Sequence, residues 1–302
     1  MVSQIEKFGA GSRLPTQRLY WGILMKFNFV PSGFCAALCF VSALADAQTG
    51  RPLNDTGITI CRDATGSVAG CTAVATTAPG QDARFGRDAA AGANTLLPAK
   101  VGGGIAGFDF SKISNTNVAV PVNTAVGVAS NLHACTRDNV TGLYWNIAPT
   151  SVPPGTGTTP IVVAPGASNV SWYDPNFSTN GGNAGINRSA TGTSPFSSTT
   201  ITDTTLLINA TNAQARCTRQ NWRLPTVREL ISIVTFVDGD NASNRLDPTY
   251  FPLVSGTTGF WTSQTKPGAS RNKFFVRVDG SSGLVFSDWG DAYTNAAILV
   301  SP

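Results

Sequence analysis

The chain has 302 residues, of which 13% are charged and 42% hydrophobic, with 31 glycines and 18 prolines. That is enough apolar content for a core and too little charge, with too many turn formers, for a coiled coil or a helical repeat. The formal net charge of +4 falls to +2 without residues 1–47, too little for bulk electrostatic binding of nucleic acid, and a single histidine, His133, excludes a multi-histidine metal centre.

The amino terminus reads as an address. Lys26 is followed by the apolar run Phe34–Val41 and by small residues at Ala43, Ala45 and Ala47, the layout of a secretory signal peptide. Cleavage after Ala45 or Ala47 fits, and Met25 fits as the start of the signal. An apolar stretch of roughly 12 residues is too short to span a bilayer, which takes about 20. The expected product is exported to the periplasm, cell surface or medium, with no membrane span after cleavage. Four cysteines then remain: Cys61, Cys71, Cys135 and Cys217. In an oxidising compartment they predict two disulfides with three possible connectivities. The short glycine-containing loop favours Cys61–Cys71, which leaves Cys135–Cys217.

Residues 48–130 form a loop-rich, β-rich segment with extended signals at Gly107–Phe110 and Val118–Val122. Gly102–Gly107 fits the G-x-G-x-x-G string, but Phe-Asp-Phe follows it where a dinucleotide site needs a helix, so it reads as a turn into a strand. A second domain is expected over 131–302. It opens with a turn and strand at Thr141–Trp145 and carries a Pro/Gly/Ser/Thr/Asn-rich insertion, 147–200, expected as a surface excursion. A helix follows from Thr202, with Thr202 or Asp203 as N-cap and Leu206, Ala210, Ala213 and Cys217 on one face. Thr226 and Glu229 form a capping box for a second helix with Val227, Leu230, Ile231, Val234 and Val237 inward. Strands are predicted at Phe260–Ser263, Phe274–Val278, Leu284–Phe286 and Ala297–Val300, the middle two joined by a Gly280–Gly283 hairpin turn. The fold class is α+β, two helices on an antiparallel sheet.

Several of these strings resemble one family. Asn54-Asp55-Thr56-Gly57-Ile58, Gly80–Asp88, Cys135–Trp145, Asn221–Leu230 and Phe260–Ser263 are similar to segments of the Lcl C-terminal domain, a domain of unknown function in exported bacterial proteins. The Trp222-Arg223-Leu224-Pro225-Thr226 string is the most specific, and it recurs in formylglycine-generating enzymes and C-type-lectin-like relatives. The resemblance implies a C-type-lectin-like fold, and members include adhesins for sulfated polysaccharides. Family members often end in a Val-Arg-Leu-Val-Arg-like strand, from which Ala297-Ile298-Leu299-Val300 departs.

Chemistry is sparse. There is no G-x-S-x-G, P-loop or H-E-x-x-H string, and His133 is expected as an incidental surface residue, so no enzyme activity is expected. Asp238, Asp240, Asn241, Asn244 and Asp247 cluster as oxygen ligands for calcium. No bidentate glutamate completes that set, and a loop with Asp247 capping the Pro248–Pro252 turn is the preferred reading. Lys266, Arg271, Lys273 and Arg277 occur with no acid between Thr257 and Val278. Strand alternation puts Lys273 and Arg277 on one face with Phe275 between them. Cations beside a ring suit an anionic or sulfated glycan, the expected partner together with cell-surface protein, although the same charges also fit an ordinary solvated face. The expected function is an adhesin-like binding protein. A structural envelope or filament subunit is the alternative, and a formylglycine-type enzyme the third reading.

Overall fold

A computed structural model describes residues 54–68, 71, 80–84, 87, 100–153, 160–188, 201–236, 245–252, 259–278, 285–290 and 293–302. All of these described residues belong to one compact unit. The signal-peptide reading lies outside the described residues.

The described elements are β1 (Cys61–Asp63), β2 (Gly66–Val68), β3 (Phe110–Ile113), β4 (Cys135–Asp138), β5 (Tyr144–Asn146), β6 (Thr150–Val152), β7 (Ile161–Val163), β8 (Val170–Ser171), β9 (Thr202–Asp203), α1 (Thr204–Ala213), α2 (Val227–Ile231), β10 (Gly259–Thr265), β11 (Asn272–Arg277), β12 (Val285–Trp289), β13 (Thr294–Asn295) and β14 (Val300–Ser301). This is an α+β protein, rich in short strands. Instead of one sheet there are several small ones: β14-β5-β4-β3, β10-β11-β12, β13-β8-β9 and the hairpins β1-β2 and β6-β7. All pairings are antiparallel except β8 with β9.

Local chemistry explains the central hairpin. The Asp138 carboxylate accepts from the Val140 and Thr141 amides at 2.9 and 3.1 Å, Gly142 takes φ +74°, and β4 returns as β5 with Thr136 opposite Trp145. An aspartate and a glycine thus supply the turn that the strand residues cannot. β3 extends the sheet, and the Gly102–Gly107 string is indeed a turn leading into it: Gly103 bridges Phe110, and the Asp109 carboxylate accepts from the Val101 and Gly102 amides. A Cβ on Gly102 would sit 1.9 Å from the Phe110 carbonyl oxygen, so the close approach requires glycine. Val118–Val122 forms no strand; only an isolated bridge joins Ala119 to Ile113.

Both disulfides take the expected pairing, Cys61–Cys71 and Cys135–Cys217. The second crosslinks β4 to the segment after α1, and it explains a correction. α1 starts where expected, the Asp203 carboxylate accepting from the Leu206 amide at 2.8 Å, but it stops at Ala213 and does not reach Cys217. Ala215, Cys217 and Thr218 all take left-handed φ, 44°, 51° and 60°, turning the chain so that Cys217 meets β4. The buried face is also rotated, using Leu207, Ala210 and Thr211 while Ala213 is exposed. The Thr211 hydroxyl lies 3.2 Å from that of Thr150 at the start of β6.

α2 has the expected capping box. Glu229 N–H donates to Thr226 Oγ1, and Thr226 N–H donates to Glu229 Oε2. Arg223 grips the same carboxylate in two bonds of 2.6 and 2.8 Å. Burial alone would raise the Glu229 pKa, but the Arg223 and Thr226 donors outweigh it and hold it below the ordinary glutamate value. The helix is shorter than expected and ends at Ile231, though Val234 still reaches the core from the following turn; Val237 lies outside the described residues.

The largest correction concerns 147–200. In place of a surface excursion, Ile147, Ala148, Val152, Val163, Val170 and Trp172 are buried. Two indoles close the insertion onto the hairpin reciprocally: Trp172 Nε1 donates to the Thr262 carbonyl at 2.9 Å, and Trp261 Nε1 donates to the Val170 carbonyl at 2.8 Å. Two large apolar clusters result, beside a small one around Cys61, Cys71 and Ala83. One gathers Phe110, Trp145, Leu230, Phe251, Phe260 and Ile298; the other gathers Trp172, Leu207, Trp222, Trp261 and the Cys135–Cys217 bridge. Ala297–Val300 is buried as its apolar run requires, but only Val300 and Ser301 pair, against β5. β11 and β12 are antiparallel neighbours as predicted, and their Gly280–Gly283 turn lies outside the described residues.

Candidate functional site

The basic hairpin β10–β11 is where the sequence concentrates its cations, and its geometry divides them. Lys266 and Arg271 are exposed in the turn between the strands. Lys273 is not: none of its surface meets solvent. Its Nζ donates to the carbonyls of Asn180 (2.7 Å), Asn183 (2.9 Å) and Ser270 (2.9 Å) and lies 4.0 Å from the centroid of the Trp172 ring. An ammonium has three donors and no acceptor, so three carbonyls take up its hydrogen bonds while the indole face adds a cation–π attraction. Lys273 is thus a pin between the insertion and the hairpin, in place of the ligand-facing cation expected from alternation.

Phe275 and Arg277 do follow Lys273 on alternate positions of β11, but that side is packed. The Phe275 ring meets Trp261 edge-on at 5.9 Å and stacks on Phe286 at 5.6 Å, and the Arg277 guanidinium lies over Phe286. Phe275 therefore has neighbours where a ligand ring was expected. What remains at the tip is the exposed pair Lys266 and Arg271, set beside the insertion loop 174–186.

That loop is built from its own side chains. The Asp174, Asn176, Asn180 and Asn183 side-chain oxygens accept from the amides of Asn176, Ser178, Gly182 and Gly185, each carboxylate or amide imitating a backbone turn. Gly185, at φ +76°, lies so near Trp172 that a Cβ would meet the Trp172 carbonyl oxygen at 2.1 Å. Sequence reasoning missed Asn180, Asn183 and Trp172. The readable signal was one tryptophan followed by repeated Asx and glycine residues, which marks an ordered loop more than a linker.

The calcium candidates fare differently. Asp238, Asp240, Asn241 and Asn244 lie outside the described residues. Asp247 is buried, and its carboxylate accepts from the Thr249 and Ile105 amides at 2.8 and 2.9 Å, the capping role given as the preferred reading. No group of three or more metal-binding side chains occurs among the described residues.

His133 is the second correction to the expected surface. It is fully buried, its Nε2 3.0 Å from the Thr136 hydroxyl, which donates to the Tyr250 carbonyl. Burial, reinforced by the Lys112 ammonium and opposed by a Cys135 backbone bond, pushes its pKa from 6.5 down to about 3. As pH falls below 6.5, the unfolded chain takes up a proton that the folded one refuses, so stability drops by about 1.4 kcal/mol per pH unit until the folded pKa is reached. Urea unfolding at pH 7 and pH 5 is expected to show about 2 kcal/mol of acid sensitivity that a His133→Gln variant lacks; equal sensitivity in both would contradict the buried neutral imidazole.

These features define a class: a sheet-rich, disulfide-crosslinked α+β domain whose insertion loop and basic hairpin are joined at one tip. A family model, that of the Lcl C-terminal domain, matches residues 134–298. The match spans more than half of the chain, which belongs to the Lcl C-terminal domain family. No curated protein and no solved structure matches the chain.

Proposed function

We propose that this is an exported, non-enzymatic, adhesin-like protein of C-type-lectin-like architecture that binds an anionic glycan or a surface macromolecule through the tip around 174–186 and 265–272. The observation that carries the reading is the Lys273 pin, which holds two loops together at a tip whose surface exposes Lys266 and Arg271. Cations on a turn whose backbone is already tied down meet sulfate or carboxylate groups without ordering a flexible loop on binding. Export draws support from the signal pattern of residues 25–47 and from two disulfides. The non-enzymatic part rests on the occupation of the reactive groups: all four cysteines after Ala47 are bonded in pairs, and His133 is sealed in the core.

The test is retention of the protein on a sulfated-glycan array. Wild type is expected to be retained and Lys266→Glu/Arg271→Glu to lose about tenfold or more in affinity, most strongly at low salt. Wild type without retention, or a charge-reversed variant that binds equally, would overturn the reading.

A further inference from the structure

The tip lacks the ring that the sequence assigned to Phe275, since Phe275 is packed between Trp261 and Phe286. Another aromatic is carried by the loop that Lys273 ties to the hairpin turn. Phe177 is 86% exposed, the most exposed large hydrophobic side chain among the described residues. It sits inside the turn that Asn176 closes by accepting the Asn180 amide at 3.0 Å. Asn180 in turn gives its carbonyl to Lys273 Nζ, the same atom that holds the Ser270 carbonyl beside Arg271. One ammonium thus fixes the loop carrying Phe177 and the turn carrying Arg271 and Lys266.

A phenyl ring held in water gains nothing for folding, and here the backbone beneath it is fixed by side-chain hydrogen bonds at Asp174 and Asn176. An ordered loop that presents an exposed ring and is tied through Lys273 to the turn carrying two cations has the makeup of a binding anchor: its backbone is set in advance, so little conformational freedom is lost on contact. We infer that Phe177 is the aromatic anchor of the tip, stacking on the ring face of a sugar whose anionic substituents meet Lys266 and Arg271. This inference rests on the binding function proposed above and adds the residue that supplies its apolar contact.

The test measures binding to immobilised dextran sulfate at 0.05 and 0.15 M salt, with thermal melting as a fold control. Phe177→Ala is expected to melt with wild type and to bind about tenfold more weakly at both salt concentrations, since stacking is not screened. Phe177→Tyr keeps a ring and is expected to bind as wild type does. Lys266→Glu/Arg271→Glu is expected to lose most at 0.05 M. Wild-type affinity in Phe177→Ala, with loss only in the charge variant, overturns the anchor and leaves the binding function standing. Absence of wild-type binding removes both.

Discussion

Replacing Cys135 and Cys217 together by alanine is expected to lower the free energy of unfolding by about 4–5 kcal/mol, because the bridge closes a loop across 82 positions and restricts the unfolded chain accordingly. That is a large share of the 5–15 kcal/mol of a typical domain. Relief of native-state strain offsets a small part of that loss. Three left-handed residues, Ala215, Cys217 and Thr218, occupy a backbone region costly for residues with a Cβ, and the crosslink helps hold them there. Removing Cys61–Cys71, which spans 10 positions, is expected to cost less, about 3 kcal/mol. Urea unfolding of the two double variants measures both numbers; equal or inverted losses would contradict the ranking.

Lys273→Met is the second large effect. Methionine keeps the length of the side chain and removes its three donors, leaving the Asn180, Asn183 and Ser270 carbonyls without their cation. Bonds to a charged group contribute about 1.5–3 kcal/mol each and are not additive, so a total loss of about 3–5 kcal/mol is expected. Lys273→Arg is not a rescue, since a planar fork cannot address three carbonyls arranged around one point. Hydrogen exchange should localise the damage: amides in 174–186 and 265–272 lose protection together, while those of β4 and β5 keep theirs. A stable variant with an ordered insertion would show that Lys273 is a passenger.

Much of the framework was legible because it depends on local chemistry. The Thr226–Glu229 capping box, an N-cap at Thr202 or Asp203, the turn at Thr141-Gly142 and the β10 and β11 strands all follow from short-range rules. Both cystine pairs are the ones that spacing favours among three connectivities. The misreadings share a different cause. Cys217 fell on the periodic face of α1, yet its place is set by Cys135 on β4, a partner that no helical periodicity encodes. Lys273 looked solvent-exposed because alternation gives the face of a strand and says nothing of what covers it; the cover comes from residues about 90 positions earlier. The insertion 147–200 was misjudged from composition, since a few apolar residues placed among turn formers are enough to bury Val170 and Trp172. At the candidate site the cations at Lys266 and Arg271 could be read, but the ring could not, because Phe275 and Phe177 differ only in their tertiary neighbours.

The pairing of Val300 with Trp145 has a consequence for how the molecule is made. The inner strand β5 waits for a partner synthesised 155 residues later, so neither that edge of the sheet nor the burial of Ile298 and Leu299 can be completed while the ribosome is still translating the middle of the chain. Contacts so distant in sequence slow folding, and until they form the nascent protein carries an unpaired strand edge that a chaperone would have to shield.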